Sequence, residues 1–142
     1  SIDGLYPWLI EIGSNIILAP GVKILAHDAS TQMNLKKAKI GRVTIGNNVY
    51  IGLNSIVLWN NQIGSNVIIG AGSIVTSDIP DNSVYAGNPA RYICSYDEYM
   101  KKNKKLINER PNFESPFWIW PQKNITEWKD MKKKLSDGIG YL

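Results

Sequence analysis

Aliphatic residues recur every six positions through the middle of the chain, at Ile45, Ile51, Val57, Ile63, Ile69 and Val75. Glycine follows four of them, at Gly46, Gly52, Gly64 and Gly70. Four places after each aliphatic stands a mostly small or β-branched residue: Val49, Ser55, Asn61, Val67, Ser73 and Ile79. An earlier block keeps the step, with Ile12, Leu18 and Ile24 followed by Gly13, Ala19 and Leu25. From Ile24 to Ile45 is twenty-one residues, three hexads plus three, so the register breaks once, between Asp28 and Arg42. A helix would repeat at about 3.6 residues and a strand at about 2. A step of six therefore means one short strand and one turn per unit, the aliphatic pointing into a narrow core and the small neighbour letting the backbone turn. Three units close a triangular coil, and stacked coils build an all-β parallel solenoid of about 3.7 coils.

Beyond the repeat the pattern changes. Ser77-Asp78-Ile79-Pro80-Asp81-Asn82 is rich in turn formers and ends the regular coils. Ser83 to Tyr85 reads as one more strand, and Ala86-Gly87-Asn88-Pro89-Ala90-Arg91 as a turn leading outward. Residues 95–109 read as a helix with Tyr96, Tyr99, Met100, Leu106 and Ile107 in a loose apolar stripe. Pro111, Pro116 and Pro121 break the next segment, and Ile125, Trp128, Met131 and Leu135 mark a second short helix over 124–135 that begins near Asn124 or Thr126. The expected organisation is a solenoid domain over 1–94, with a loop excursion at about 29–42, and a helical and irregular extension over 95–142 packed on it.

Composition narrows the function. The chain has 142 residues, 44% of them apolar, which suits one globular unit and argues against global disorder. No apolar run reaches the length of a membrane-spanning helix, and residues 1–13 lack the pattern of a secretory signal, so the expected location is the cytoplasm. The chain opens on Ser1 rather than Met, which leaves upstream sequence an open question. A single cysteine, Cys94, excludes an internal disulfide and a cysteine-cluster zinc site, and a single histidine, His27, excludes a multi-histidine metal site within one chain; no metal is expected. The net charge of +4 is concentrated in the tail, in runs such as Lys101-Lys102-Asn103-Lys104-Lys105 and Lys132-Lys133-Lys134. These are read as solvated helix faces; no nucleic-acid-binding motif accompanies them, and no nucleic-acid partner is expected.

The hexads, a histidine followed by the register-breaking loop, the run Ile69-Gly70-Ala71-Gly72-Ser73-Ile74-Val75-Thr76 and then Ala86-Gly87-Asn88-Pro89-Ala90-Arg91 together resemble the hexapeptide-repeat acyltransferases, within them the maltose, galactoside and polysaccharide O-acetyltransferase branch. The resemblance spans residues 5 to about 93. It implies a left-handed parallel β-helix with a short α-helical C-terminal tail, acetyl-CoA as co-substrate, a homotrimer with active sites between subunits, and a sugar or glycan acceptor. It makes His27 the catalytic base. A sugar hydroxyl is a poor nucleophile near neutral pH, and an imidazole can take its proton as the oxygen attacks the thioester. Asp28 is adjacent to His27, but neighbours on a strand face opposite sides, so a backbone carbonyl is an alternative partner for the ring.

For the cofactor, the resemblance implies a main-chain amide near Gly52–Leu53 as oxyanion donor, backbone around Ala71 along the pantetheine arm, Thr76 and Ser77 towards the nucleotide, and Arg91 on phosphate. The family often has lysine at the Ser77 position and arginine at the Cys94 position, which weakens the phosphate contacts expected here. Tyr6, Trp8 and Asp28 are candidates for the acceptor side; Lys36, Lys37 and Lys39 lie in the loop, which in the family covers a neighbouring site. Phe113, Phe117, Trp118 and Trp120 are read as a docking surface for the tail. The glycosylation sequon Asn124-Ile125-Thr126 is discounted for want of a signal peptide. Competing functions are N-acetylation of an amino sugar or antibiotic and a non-catalytic β-helix scaffold. A hexapeptide carbonic anhydrase would need three histidines from two subunits and is nearly excluded.

Overall fold

The computed structural model describes residues 1–113 and 125–142. Pro116, Phe117, Trp118, Trp120, Pro121 and Asn124, singled out above, lie outside the described residues. The chain divides into two compact units, Ser1–Tyr99 and Met100–Leu142.

In the first unit the hexads become strands of two or three residues. Among the described residues they stack into three parallel sheets. The first holds β1 (Ile10–Ile12), β6 (Val43–Ile45) and β9 (Asn61–Ile63). The second holds β2 (Ile16–Leu18), β7 (Val49–Ile51), β10 (Val67–Ile69) and β12 (Ser83–Ala86). The third holds β3 (Lys23–Ile24), β8 (Ile56–Val57) and β11 (Ile74–Val75). Successive partners lie one coil apart, as in Ile45↔Ile63, Ile51↔Ile69 and Val57↔Val75. The inserted loop lengthens the first step, so that Ile12 meets Ile45 and Leu18 meets Ile51.

Each full hexad buries two side chains, the aliphatic and the residue two before it. Val43, Val49, Val57, Ile63, Val67 and Ile69 are essentially inaccessible. Ser55, Ser73 and Asn61 are buried too, and each satisfies its polar atoms locally. Ser73 Oγ donates to Gly70 O (2.5 Å), Ser55 Oγ donates to the same carbonyl (3.0 Å), and Asn61 Nδ2 donates to Leu58 O (2.9 Å). Small polar residues at these positions therefore shape the corners without leaving a buried group unpaired.

The corners carry a second period that the aliphatic step does not reveal. Asn15, Asn48, Asn54, Asn60, Asn66 and Asn82 all adopt the left-handed backbone region, with φ between 55° and 61°. Asparagine tolerates this region better than other non-glycine residues. Four of these asparagines stack: Asn15 Nδ2 donates to Asn48 Oδ1 (2.8 Å), Asn48 Nδ2 to Asn66 Oδ1 (3.1 Å) and Asn66 Nδ2 to Asn82 Oδ1 (2.8 Å). The hexad glycines answer to crowding: a Cβ on Gly52 would stand 2.4 Å from the Ala71 nitrogen of the next coil.

The two ends of the stack differ. At the start, the inward residues Ile12 and Leu18 remain 38% exposed. At the other end the chain folds back. Gly87 O accepts the Ile74 N–H (2.9 Å) and Ala90 N donates to Ile74 O (2.8 Å), which caps the edge of β11. β13 (Arg91–Ser95) then pairs antiparallel with β12, a strand the sequence pattern does not announce. A capping box at Ser95 and Glu98 starts α2 (Tyr96–Glu109): Glu98 N donates to Ser95 Oγ (3.1 Å) and Ser95 N to Glu98 Oε2 (2.9 Å).

The register break is an arm. β4 (His27–Asp28) and β5 (Lys39–Ile40) form an antiparallel pair, with the single turn α1 (Gln32–Leu35) at the tip. The arm closes at its root where Gly41 N donates to Ala26 O (3.0 Å).

In the second unit, α3 (Ile125–Lys134) matches the expected second helix. Tyr141 organises this unit. Its N–H donates to Pro111 O (2.9 Å), its carbonyl accepts the Phe113 N–H (2.8 Å), and its hydroxyl meets Asn103 Oδ1 (3.0 Å). Arg110 donates to Asp137 Oδ1 (3.0 Å) and Ile139 O (2.8 Å). No described helix is long and apolar enough to cross a membrane.

Candidate active site

His27 is the first residue of the arm, at the corner where the chain leaves the third sheet. Its partner is neither Asp28 nor a backbone carbonyl but Asp3. The segment before the first coil pairs onto the edge of β3: Ile2 bridges to Ile24 in parallel, and Asp3 N donates to Ile24 O (2.8 Å). This brings the Asp3 carboxylate, only 1% exposed, against His27 Nδ1. Asp3 Oδ2 also accepts the Ala26 N–H (2.9 Å), and Oδ1 accepts those of Leu5 (2.9 Å) and Tyr6 (3.3 Å). Burial alone would raise the pKa of this carboxyl; the bonds from His27 and from the Leu5, Ala26 and Tyr6 amides outweigh burial and hold it at about 2. Asp3 is therefore ionised across the neutral range and can only accept. Nδ1 must donate, so in the neutral ring Nε2 is the bare nitrogen. The imidazole is 25% exposed, so the ring is reachable while its partner is not.

Tyr6 lies beside the histidine, ring centroids 5.4 Å apart, and Trp8 meets Tyr6 edge-on at 5.7 Å. Trp8 is 71% exposed. The two aromatic candidates thus share one surface with His27. Asp28 does not join them. Its Oδ2 accepts from Lys39 Nζ (2.9 Å) and its Oδ1 from the Ser30 N–H (2.8 Å), and these bonds lower its pKa to about 2. Lys39 also sits over the Trp59 ring (5.4 Å), tying the arm to the corner beneath it. Asp28 fastens the arm, and the role of ring partner passes to Asp3.

The cofactor candidates fall on the two edges of the third sheet. Leu53 and Ala71 share one edge, a coil apart: Gly72 N donates to Leu53 O (2.8 Å), and Gly52 packs against the Ala71 backbone. Leu53 is 47% exposed, and its N–H has no hydrogen-bond partner among the described residues. Thr76 and Ser77 are exposed on the opposite edge, on the coil above Leu58 and Trp59, at the corner from which the arm leaves. Arg91 is exposed at the start of β13 and donates to Ala90 O (3.2 Å). Among the described residues no group of three or more His, Cys, Asp and Glu side chains is placed to hold a metal ion.

Sequence reasoning missed Asp3, Lys39 as the partner of Asp28, and Trp59 beneath the arm. Asp3 belongs to no repeat, and only the pairing of Ile2 with Ile24 brings it to His27.

No family profile matches the chain. Individual proteins do. The chain is 47% identical over 106 residues to Protein CapG of Staphylococcus aureus, covering 72% of this chain and 62% of that protein. It is 42% identical over 97 residues to the galactoside O-acetyltransferase of Escherichia coli, covering 66% of this chain and 48% of that enzyme. Among solved structures, a galactoside acetyltransferase in complex with coenzyme A superposes with a TM-score of 0.62 at 38% identity, over 70% of this chain and 50% of that one. The chain thus spans about half to three fifths of the length of these relatives. By these matches the chain belongs to the hexapeptide-repeat acetyltransferases.

Proposed function

We propose that the protein is an acetyl-CoA-dependent O-acetyltransferase that acetylates a hydroxyl of a sugar or cell-surface polysaccharide, with His27 as general base. The observation that carries this reading is the Asp3–His27 pair, which leaves Nε2 free to accept a proton. The acceptor hydroxyl gives its proton to Nε2 as its oxygen attacks the thioester carbonyl carbon. The developing oxyanion takes a hydrogen bond from the Leu53 main-chain amide. The C–S bond then breaks, and the imidazolium returns the proton to the departing thiolate. Asp3 fixes the tautomer and stabilises the transient positive charge. Tyr6 and Trp8 offer faces on which a pyranose ring can stack.

The coils wind left-handed, and the working form is a homotrimer. His27 stands at one edge of the third sheet and the free Leu53 amide at the other. A site using both is completed by a neighbouring copy, with Ala71 along the pantetheine arm, Thr76 and Ser77 towards the nucleotide, and Arg91 on phosphate. Two apolar residues, Ile17 and Tyr50, pair across β2 and β7, are 49% and 41% exposed, and suit such an interface. Dependence on acetyl-CoA puts the reaction in the cytoplasm.

A second reading, N-acetylation of an amino sugar, is favoured by one structural relative. That is an N-acyltransferase mutant from Bacillus cereus in complex with dTDP-4-amino-4,6-dideoxyglucose and coenzyme A (TM-score 0.55, 28% identity, over 68% of this chain and 59% of that one).

The test is thiol release from acetyl-CoA with hydroxyl and amino-sugar acceptors, wild type beside His27→Ala. Acceptor-dependent release that falls by about 10²-fold or more in the variant supports the histidine mechanism. A hydroxylamine-labile product identifies the ester, and a stable one the amide. Equal rates in the two proteins remove His27 from the mechanism.

A further inference from the structure

The two units differ sharply in charge. Residues 1–99 carry six Lys and Arg against seven Asp and Glu, whereas residues 100–142 carry ten against five. Within α3 the excess is directional. At about 100° per residue, Trp128, Lys132, Lys129 and Lys133 share one arc of about 140°. The acidic residues Glu127 and Asp130 lie on the remaining surface, where Lys134 Nζ pairs with Asp130 (2.8 Å). Lys129, Lys132 and Lys133 are exposed, and Trp128 is 56% exposed among them. Ile139 and Leu142 of the same unit are also open, at 57% and 73%.

We propose that this face of α3 docks on an anionic lipid bilayer, with Lys129, Lys132 and Lys133 against headgroup phosphates and Trp128 in the interfacial layer. Charge complementarity selects an anionic partner. The indole selects a bilayer over a dissolved polyanion. A polyanion needs only the lysines, whereas a tryptophan gains where an apolar body and a polar N–H can both be satisfied, which is the headgroup region. A helix of ten residues with three lysines on its working face lies in the interface plane and does not cross. The proposal is independent of the acetyl-transfer reading, since it uses no residue of the candidate active site.

The test is co-sedimentation of the full chain with phosphatidylcholine vesicles, alone or with about a third phosphatidylglycerol. The expected result is partition at least about tenfold stronger on the anionic vesicles, weakening as salt rises. Each lysine near such a surface is worth about fivefold, so Lys129→Gln, Lys132→Gln and Lys133→Gln together lower partition by about 100-fold. Trp128→Ala lowers vesicle partition several-fold while leaving retention on a heparin column unchanged. All four side chains are exposed, and circular dichroism checks that the variants keep their fold. Equal partition on the two vesicle types, or an unchanged triple variant, overturns the proposal. Vesicle binding that is indifferent to Trp128 and tracks heparin retention replaces it with a polyanion site.

Discussion

The stacked coils and the arm corner of the same unit obey different rules. In the coils, one pair of inward positions repeats, and equivalent positions are filled by a few small or aliphatic residues. Val49, Val67 and Ser83 occupy equivalent places in the second sheet and are equally buried. At the corner no position repeats. His27 meets a carboxylate that stands 24 residues earlier in the chain, and Asp28 meets Lys39 across a two-stranded pair found nowhere else among the described residues. The repeat supplies rigidity; the departures from it supply candidate chemistry. Substitutions in the two regions should therefore register on different measurements.

The largest contrast is between His27→Ala and Ile69→Ala. Ile69 is fully buried between Ile51 and Tyr85, and its truncation should cost roughly 2–5 kcal/mol of stability. Urea unfolding should show this, with kcat per folded molecule kept at temperatures well below the new midpoint. His27→Ala should do the reverse, lowering kcat by about 10²–10⁴-fold while costing only the one bond to buried Asp3, about 1–2 kcal/mol. A His27 variant that unfolds as readily as the Ile69 variant would mean that the corner is structural.

Asp3→Asn sharpens the same division, because Asp3 belongs to both regions. Its carboxylate accepts three backbone N–H groups as well as the ring. An amide turned to keep its oxygen on Leu5 and Tyr6 would present its NH₂ to Ala26 N–H and His27 Nδ1. The buried clash should cost about 1–3 kcal/mol. The ring would be driven to the tautomer with Nε2 protonated, and kcat should fall by on the order of 10²-fold in molecules that remain folded. Proton NMR of the imidazole separates the two effects: a stability loss with an unchanged tautomer would make Asp3 structural only.

Acid offers a milder test. The folded pKa values of Asp3 and Asp28 are both about 2, below the ordinary carboxylate value of 3.8. A depressed carboxylate contributes stability that is fully present above its unfolded pKa and is lost as pH falls through the folded one. The protein should thus hold its stability down to about pH 4 and lose it progressively between about pH 4 and pH 2. In Asp3→Asn the loss over that window should be smaller. An acid limb unchanged by the substitution would show that the Asp3 bonds do not contribute.

How far each region could be read from sequence follows from the same physics. The coils were legible because burial every six residues leaves an aliphatic trace, and the three sheets follow once three hexads close a coil. The asparagine corners were legible in principle, since Asn48, Asn54, Asn60 and Asn66 also keep a step of six, but a polar period carries no burial signal. His27 is marked as a candidate by the motif around it. Asp3 is not, because its position depends on Ile2 joining the edge of β3 and nothing in the residues near Asp3 encodes that pairing. β13 escaped for a related reason: Arg91–Ser95 borrows its partner from β12 and shows no inward alternation of its own.

The smallest effect tests whether the arm is held or merely present. Lys39 bonds Asp28 at 2.9 Å and Ser30 Oγ at 3.3 Å and covers the Trp59 ring, yet it is 44% exposed. Exposed ion pairs are worth about 0–1 kcal/mol, so Lys39→Met should leave global unfolding almost unmoved. Methionine keeps much of the stem over Trp59 but gives up the bonds at the root of the arm. If those bonds hold β4 against β5, the amides of residues 28–39 should exchange with solvent several-fold faster while those of the coils keep their rates. Because His27 shares β4 with Asp28, KM for the acceptor should rise modestly with kcat less affected. Unchanged exchange in the arm would mean that the hairpin pairing of His27 with Ile40 holds it without help from the side chains, and that the corner is stiffer than its lack of repetition suggests.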